Sequence, residues 1–354
     1  MLFTWKSETE MGKRNYAVIA DHLSLPIDEG LKKVTFELMQ YASSLGNVDL
    51  FSSPENIGIR KVSIYRANKL MFSREIYNFL HKKNYTDIIY IPEASTTFYS
   101  FVRAWMILLQ VSNKSKVFIV NSQERELKKW QLDIISSLKR IKVICFSPSS
   151  SVEFRNHGIK TLELPCGVDI NVFKPISNQR KLELKNKYNL PCDKAIVLHV
   201  GHIRKSRNVS MLKCLQENNF QVVVVGSTSM AYENDLAKDL LEVGVKLFSE
   251  YNPNVEELYQ LCDLYVFPVL LSDAAIEFPL SVLEAMSCGI PVLTTKFGAL
   301  ADTFKESSCF GFFDNEDDLI IKAKEFVGRE ASINRDIVEK NFTWENTFSK
   351  LFEE

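Results

Sequence analysis

Asp263-Leu-Tyr-Val-Phe-Pro-Val-Leu-Leu-Ser-Asp-Ala-Ala-Ile-Glu-Phe-Pro-Leu-Ser-Val-Leu-Glu-Ala-Met-Ser-Cys-Gly-Ile-Pro-Val-Leu-Thr-Thr295 decides how this chain is read. The runs Leu264–Phe267 and Pro291–Thr295 have strand character, and the segment opened by Phe278, Pro279, Leu280 and Ser281 has helical character. A loop at the carboxyl end of a strand, leading into a helix with free N–H groups, is a ready-made anion site. Pro279 suits the first turn, where a missing N–H costs nothing. The amides of Leu280 and Ser281 are then expected to face a phosphate. Glu284 lies in the same helix among Leu280, Val282, Leu283, Ala285 and Met286. A carboxylate there would repel phosphate and suits a neutral hydroxyl pair; a helix glutamate paired with solvent is the plainer alternative.

The pattern extends in both directions. Strand-like runs occur at Tyr16–Ala20, Val48–Phe51, Val62–Tyr65, Asp87–Ile91, Val117–Val120, Lys142–Phe146 and Thr161–Leu164. Helical patterns lie between them, at Gly30–Ser44, Ser73–Lys83, Thr97–Val111 and Glu124–Leu138. After the Pro- and Gly-bearing stretch Leu164–Pro175 and the polar run to Lys187, the alternation restarts with Ala195–Val200, Gln221–Val225, Val245–Phe248, Leu264–Phe267 and Pro291–Thr295. Alternating strands and helices predict α/β architecture with mostly parallel, doubly wound sheets. The expected organisation is a first domain over 1–170, a linker over 171–178, a second domain over 179–340 and a capped helix over 341–354. Trp344, Phe348 and Leu351 fall on one face of that last helix.

With 354 residues the chain can hold two ordinary domains, and 46% hydrophobic with 25% charged residues is the balance of a soluble globular protein. The net charge of −1 hides a split: residues 1–176 carry 24 Lys and Arg against 17 Asp and Glu, whereas 177–354 carry 19 against 27. A basic first half points to an anionic partner or surface, or else to scattered solvated lysines. Seven cysteines without CxxC or Cys/His spacing argue against zinc and a disulfide framework, and fit a reducing cytosol. No apolar run reaches membrane-spanning length, and the first residues lack a signal-peptide core. The expected location is therefore cytoplasmic, with peripheral contact at the inner face of a membrane as an extension.

At particular motifs the chain resembles the family 4 retaining glycosyltransferases, also called glycosyl transferases group 1, which have the GT-B fold. Pro165-Cys-Gly-Val-Asp169 with Phe173-Lys-Pro175 is similar to their linker. Val200-Gly-His-Ile-Arg-Lys-Ser-Arg-Asn208 is similar to their first βα loop in the second domain, where Gly-Arg and a Lys flank the donor phosphates. Glu284-Ala-Met-Ser-Cys-Gly-Ile-Pro-Val292 is similar to their Glu-Ala-Met-Ala-x-Gly-x-Pro-Val, and Phe342-Thr-Trp-Glu345 to their closing Phe-Ser-Trp-Glu. The likeness covers about 165–354 well; the first part fits in general layout, with Gly30 at the usual glycine loop.

The resemblance implies two Rossmann-like domains facing one cleft and transfer of a hexose from a nucleotide-sugar, UDP- or GDP-linked, to a glycan or lipid-linked acceptor. It implies retention of configuration by front-side attack assisted by the departing phosphate, with no separate cofactor, no metal and no nucleic-acid partner. Three departures stand out. Ile276 occupies the place of the first glutamate of Glu-x7-Glu, with Glu277 displaced by one; Gly201-His202 replaces Gly-Arg, and Arg207 replaces the Lys; Val120-Asn121-Ser122 stands where a histidine is usual. A catalytically impaired nucleotide-binding relative is therefore the alternative.

Leaving-group charge is best met by Arg207, whose planar guanidinium can hold two phosphate oxygens. Gly201 and His202, with Arg204 and Lys205, would assist; a solvated polar turn is the plainer reading. Glu277 is expected near the donor sugar, or else as a surface acid compensating Arg207. The resemblance gives Glu284 the ribose hydroxyls. In the first domain, Gly30 lets the backbone approach the donor or acceptor, and Lys32 and Lys33 would meet an anionic acceptor. The strongly apolar helix over Thr97–Val111 reads as a buried core helix or, more pointedly, as a membrane-surface face receiving a lipid-linked acceptor.

Overall fold

A computed structural model describes residues 14–21, 23–52, 62–65, 74–93, 96–123, 125–227 and 233–353. Its first sheet has seven strands: β1 (Asn15–Ala20), β2 (Asn47–Phe51), β3 (Val62–Tyr65), β4 (Asp87–Ile91), β5 (Lys116–Asn121), β6 (Ile141–Cys145) and β7 (Thr161–Glu163). They pair in the order β3-β2-β1-β4-β5-β6-β7, all parallel. Helices α1 (Gly30–Leu45), α2 (Arg74–Lys82), α3 (Phe98–Leu108), α4 (Lys129–Ser137) and α5 (Pro148–Asn156) alternate with them. Apolar runs without polar alternation form these strands because helices cover both faces of a parallel sheet. Strand β4, Asp-Ile-Ile-Tyr-Ile, is buried throughout.

The second sheet repeats the plan with β8 (Ile196–Val200), β9 (Gln221–Val225), β10 (Lys246–Phe248), β11 (Leu264–Phe267), β12 (Val292–Thr294) and β13 (Phe310–Phe312), ordered β10-β9-β8-β11-β12-β13 and again parallel. Its helices are α6 (Asn178–Lys187), α7 (Lys213–Glu217), α8 (Asn234–Glu242), α9 (Val255–Leu261), α10 (Leu280–Ser287), α11 (Leu300–Thr303), α12 (Glu316–Phe326) and α13 (Ser332–Asn341). In each sheet the strand order reverses beside the first strand, between β1 and β4 and between β8 and β11. A crevice opens outside the carboxyl ends of the strands at such a point, and ligands bind there.

Several elements go beyond the expected pattern, among them helix α6 in the polar run to Lys187 and helices α11 to α13 after β12. Strand β13 is only Phe-Gly-Phe, too short for periodicity to register. Helix α5 begins Pro-Ser-Ser-Ser, a composition that reads as a turn; Ser147 caps it by accepting from the Ser150 amide, and Pro148 occupies its first turn.

The chain passes between the domains at two places that touch. The Val168 amide donates to Phe342 O at 2.9 Å, and Val168 pairs with Thr343 in a parallel bridge. Thr347 Oγ1 donates to Pro165 O at 2.9 Å. Helix α14 (Trp344–Glu353) then packs on the first domain: Phe352 meets Tyr16 edge-on at 4.8 Å, and Phe348 lies 5.8 Å from Tyr41. One apolar core therefore runs from Val18 and Ile89 through Leu164, Val168 and Trp344 to Leu283 and Val292, while the outer face of each sheet has its own core.

The crossing requires Gly167. A Cβ there would lie 2.7 Å from the Trp344 backbone N and 2.8 Å from Thr343 C, with backbone rather than a movable side chain in the way. Gly167→Ala should therefore destabilise the protein by about 2 kcal/mol, seen as a lowered urea midpoint; an unchanged midpoint would refute the close crossing.

Candidate functional site

The two first βα loops, after β1 and after β8, face each other across the crevice. Gly30 is the first residue of α1, and a Cβ on it would lie 2.9 Å from Ile276 Cδ1 and 4.0 Å from Leu280 Cδ1. Gly30 thus permits α1 to begin against the loop leading into α10. Ile276 meets it with a methyl group where the resemblance implied a carboxylate.

Arg207 is held by a single 3₁₀ turn, Lys205–Arg207, that ends at Asn208 in the left-handed region (φ 55°). Asparagine tolerates that conformation. The Asn208 amide side chain donates to Pro268 O at 3.2 Å, fixing the turn to the end of β11. Arg207 Nη2 lies 3.3 Å from His202 Nδ1, and His202 Nε2 lies 3.4 Å from Glu29 Oε1 of the first domain. A guanidinium only donates, so Nδ1 must accept, and the ring proton sits on Nε2 and points to Glu29. The His202 hydrogen bond holds the Glu29 carboxyl below its usual range, against the opposing effect of burial. His202 thus bridges two groups of the protein rather than standing free for a phosphate.

Burial lowers the Arg207 pKa to about 10, partly offset by Tyr265 and Glu29. Among the described residues no carboxylate forms an ion pair with it. Below it, His199 is fully buried, with Nδ1 3.0 Å from Val266 O. Its Nε2 has no hydrogen-bond partner and lies 3.2 Å from where a Gly201 Cβ would be, with Arg207 Nη1 3.6 Å from the same point. Glycine at 201 leaves this space open. Burial pushes the His199 pKa down to about 4, keeping the ring neutral beneath the cation.

Helix α10 starts at Leu280, with Pro279 as its N-cap residue rather than within its first turn, and no side chain caps it. Its open N-terminus belongs to the same neighbourhood as Arg207. Burial and Glu284 raise the pKa of Tyr265 on β11, while Ser281 and Arg207 both lower it. Arg207, Ser281 and Glu284 therefore surround one tyrosine. Phe278 is corrected: it is 1% exposed, with its ring packed on Phe304 at 6.1 Å and Phe342 at 5.6 Å, so its side chain belongs to the core.

Both glutamates are committed to the first domain. Lys33 Nζ reaches Glu284 Oε1 at 2.5 Å and lies 4.4 Å from the Phe173 ring centroid. The charge expected to meet an acceptor is thus paired across the cleft, and Lys32 is buried. Glu277 is 3% exposed, which excludes the reading of a surface acid. Ser150 Oγ donates to its Oε1 at 2.6 Å, Ser147 Oγ to its Oε2 at 2.8 Å, and Asn121 Nδ2 lies 3.4 Å from Oε1. Its amide donates to Ser122 O at 2.8 Å. Sequence reasoning missed these serines; the Ser-Pro helix-start signal was present, but its proximity to Glu277 was not. Ser227 with Asp28 (3.1 Å), Gln123 with Asp273 O (3.3 Å) and Arg125 with Asp273 (3.5 Å) extend the seam.

Two parallel Rossmann-like sheets closed on such a seam define the GT-B fold, and comparison with solved structures agrees. The chain superposes on a glycosyltransferase from Rickettsia africae with a TM-score of 0.79 (14% identity, 97% of this chain and 98% of that one). It superposes on sucrose-phosphate synthase from Thermosynechococcus elongatus with 0.75 (19% identity, 96% and 98%). The figures for Anabaena HepE in complex with UDP-glucose are 0.71, 16%, 96% and 98%. Residues 180–338 match the family described as glycosyl transferases group 1. D-inositol 3-phosphate glycosyltransferase of Arthrobacter sp. (strain FB24) is 24% identical over 222 residues, 58% of this chain and 49% of the relative. N-acetyl-alpha-D-glucosaminyl L-malate synthase of Bacillus anthracis is 29% identical over 129 residues, 35% and 33%. The chain spans a third to a half of the length of these relatives.

His199 gives a pH test. Its folded pKa, about 4, lies below the unfolded value near 6.5, so the unfolded chain binds the extra proton between the two. Stability from this group is complete above pH ~6.5 and is lost as pH falls towards 4. His199→Phe should flatten the fall in urea-unfolding free energy across that window by about 3 kcal/mol. Parallel profiles for the two proteins would refute a buried neutral imidazole.

Proposed function

We propose that this protein is a retaining glycosyltransferase that moves a hexose from a UDP- or GDP-linked donor to a glycan or lipid-linked acceptor. The observation that carries the reading is Arg207: a part-buried guanidinium that, among the described residues, forms no ion pair with a carboxylate, and that shares its neighbourhood with the uncapped start of α10. A buried cation in this position is completed by an anion. As the anomeric C–O bond breaks, charge grows on the departing diphosphate. Arg207 and the amides of Leu280 and Ser281 supply fixed positive potential for it. The solved structure of Anabaena HepE with UDP-glucose supports a nucleotide-sugar ligand on this fold. Glu284 would take the ribose hydroxyls in exchange for Lys33.

Glu277 departs from a sugar contact, since its carboxylate is occupied by Ser147 and Ser150. That observation, with Ile276 against Gly30, favours a second reading in which nucleotide binds but transfer is lost.

Titration calorimetry with UDP and GDP separates the outcomes. One of the two should bind, and Arg207→Met should weaken it about 30-fold, equivalent to roughly 2 kcal/mol for a charged hydrogen-bonding group. Binding of neither nucleotide would refute the donor site. Binding without sugar release or transfer across a panel of nucleotide-sugars would select the second reading.

A further inference from the structure

The solvent side of α3 is mostly apolar. Tyr99, Trp105 and Leu109 are 48%, 44% and 57% exposed, and Val102 and Met106 between them are partly exposed. Arg103 is the one charged residue of the helix, and its guanidinium is turned to Asp21 and Tyr90. The opposite side, with Phe101, Ala104 and Ile107, fills the core, so α3 is apolar on both faces. The surface continues onto α4: Phe98 meets the Trp130 ring edge-on at 5.1 Å, and Trp130 and Ile134, one turn apart, are 53% and 47% exposed. A contiguous apolar surface on two neighbouring helices requires a partner.

Charge selects the partner. Residues 96–142 hold nine Lys and Arg against three Asp and Glu, which accounts for most of the positive balance of the first half. Lys128 and Lys129 stand exposed at the start of α4, beside Trp130, and Lys114 and Lys139 are exposed nearby. An apolar surface rich in Trp and Tyr and bordered by lysines fits an anionic lipid headgroup layer. A second copy would bring the same positive border against itself, which disfavours self-association.

We propose that the outer face of α3 and the start of α4 dock this protein onto an anionic membrane surface. The face borders the cleft: Arg103 reaches Asp21 just beyond β1, and Arg125, before α4, pairs with Asp273 of the second domain. A bilayer held there lies next to the crevice, so an acceptor borne on a lipid would be presented directly to it. That last link alone rests on the transferase reading; docking does not.

Co-sedimentation without nucleotide tests the docking itself. Vesicles of phosphatidylcholine containing about one third phosphatidylglycerol should pellet the protein at least ~10-fold more strongly than phosphatidylcholine alone, with release at high salt. The triple variant Trp105→Gln, Leu109→Gln, Trp130→Gln should lose at least ~10-fold in this binding. These positions are exposed, so its circular dichroism should match the parent. Lys128→Glu with Lys129→Glu gives an independent loss on the charge side. Failure of the parent to pellet with anionic vesicles, or undiminished binding by the triple variant, would overturn the proposal. So would a dimer seen by light scattering that the triple variant abolishes. Calorimetric nucleotide binding is read separately, so the two conclusions can fail independently.

Discussion

Glu277 carries a carboxylate from the second domain into a pocket of the first, where the Ser147 and Ser150 hydroxyls donate to it and Asn121 lies alongside. Burying a charge costs several kcal/mol unless hydrogen bonds replace its water. The serines exist in that geometry because Ser147 caps α5 and Pro148 starts it, so the carboxylate also lies at the positive end of a helix. This contact ties the two domains together across the crevice. With Ser122 O bound to the Glu277 amide, the loop before α10 is held at both backbone and side chain. Gly30 against Ile276, Lys33 with Glu284 and His202 with Glu29 line the same closure.

The seam gives each polar residue two duties. Glu29 fixes the His202 ring, and the ring in turn orients a guanidinium without neutralising it. Lys33 pairs with Glu284 across the seam. The cation is thus oriented by hydrogen bonding through His202, and the acid is covered by an ion pair. On the function proposed above, such an arrangement would serve recognition of a diphosphate on one side and of hydroxyls on the other.

Much of the fold was legible because parallel strands buried on both faces must be written as uninterrupted apolar runs. Val222 to Val225 and Ile88 to Ile91 permit little else. Helix starts were legible where a chemical signal marks them, as at Pro279, and were missed where the signal sat within a serine run, as at Ser147. Strand β13 escaped because Phe-Gly-Phe carries no period. The site was legible to the extent that its residues share a loop: Gly201, His202 and Arg207 are neighbours in sequence and in space. Phe278 was misplaced because a residue beside a site can as easily turn its ring into the core, where Phe304 and Phe342 receive it. The partners of Glu277 were out of reach, since residues more than a hundred positions away supply them and no local pattern encodes that distance.

Helix α14 covers Tyr16 and Tyr41, residues among the earliest in the sequence, while belonging to its last stretch. On the ribosome, therefore, the amino-terminal sheet emerges long before the helix that seals it. Until residues 344–353 are synthesised, that nascent sheet keeps an uncovered apolar flank.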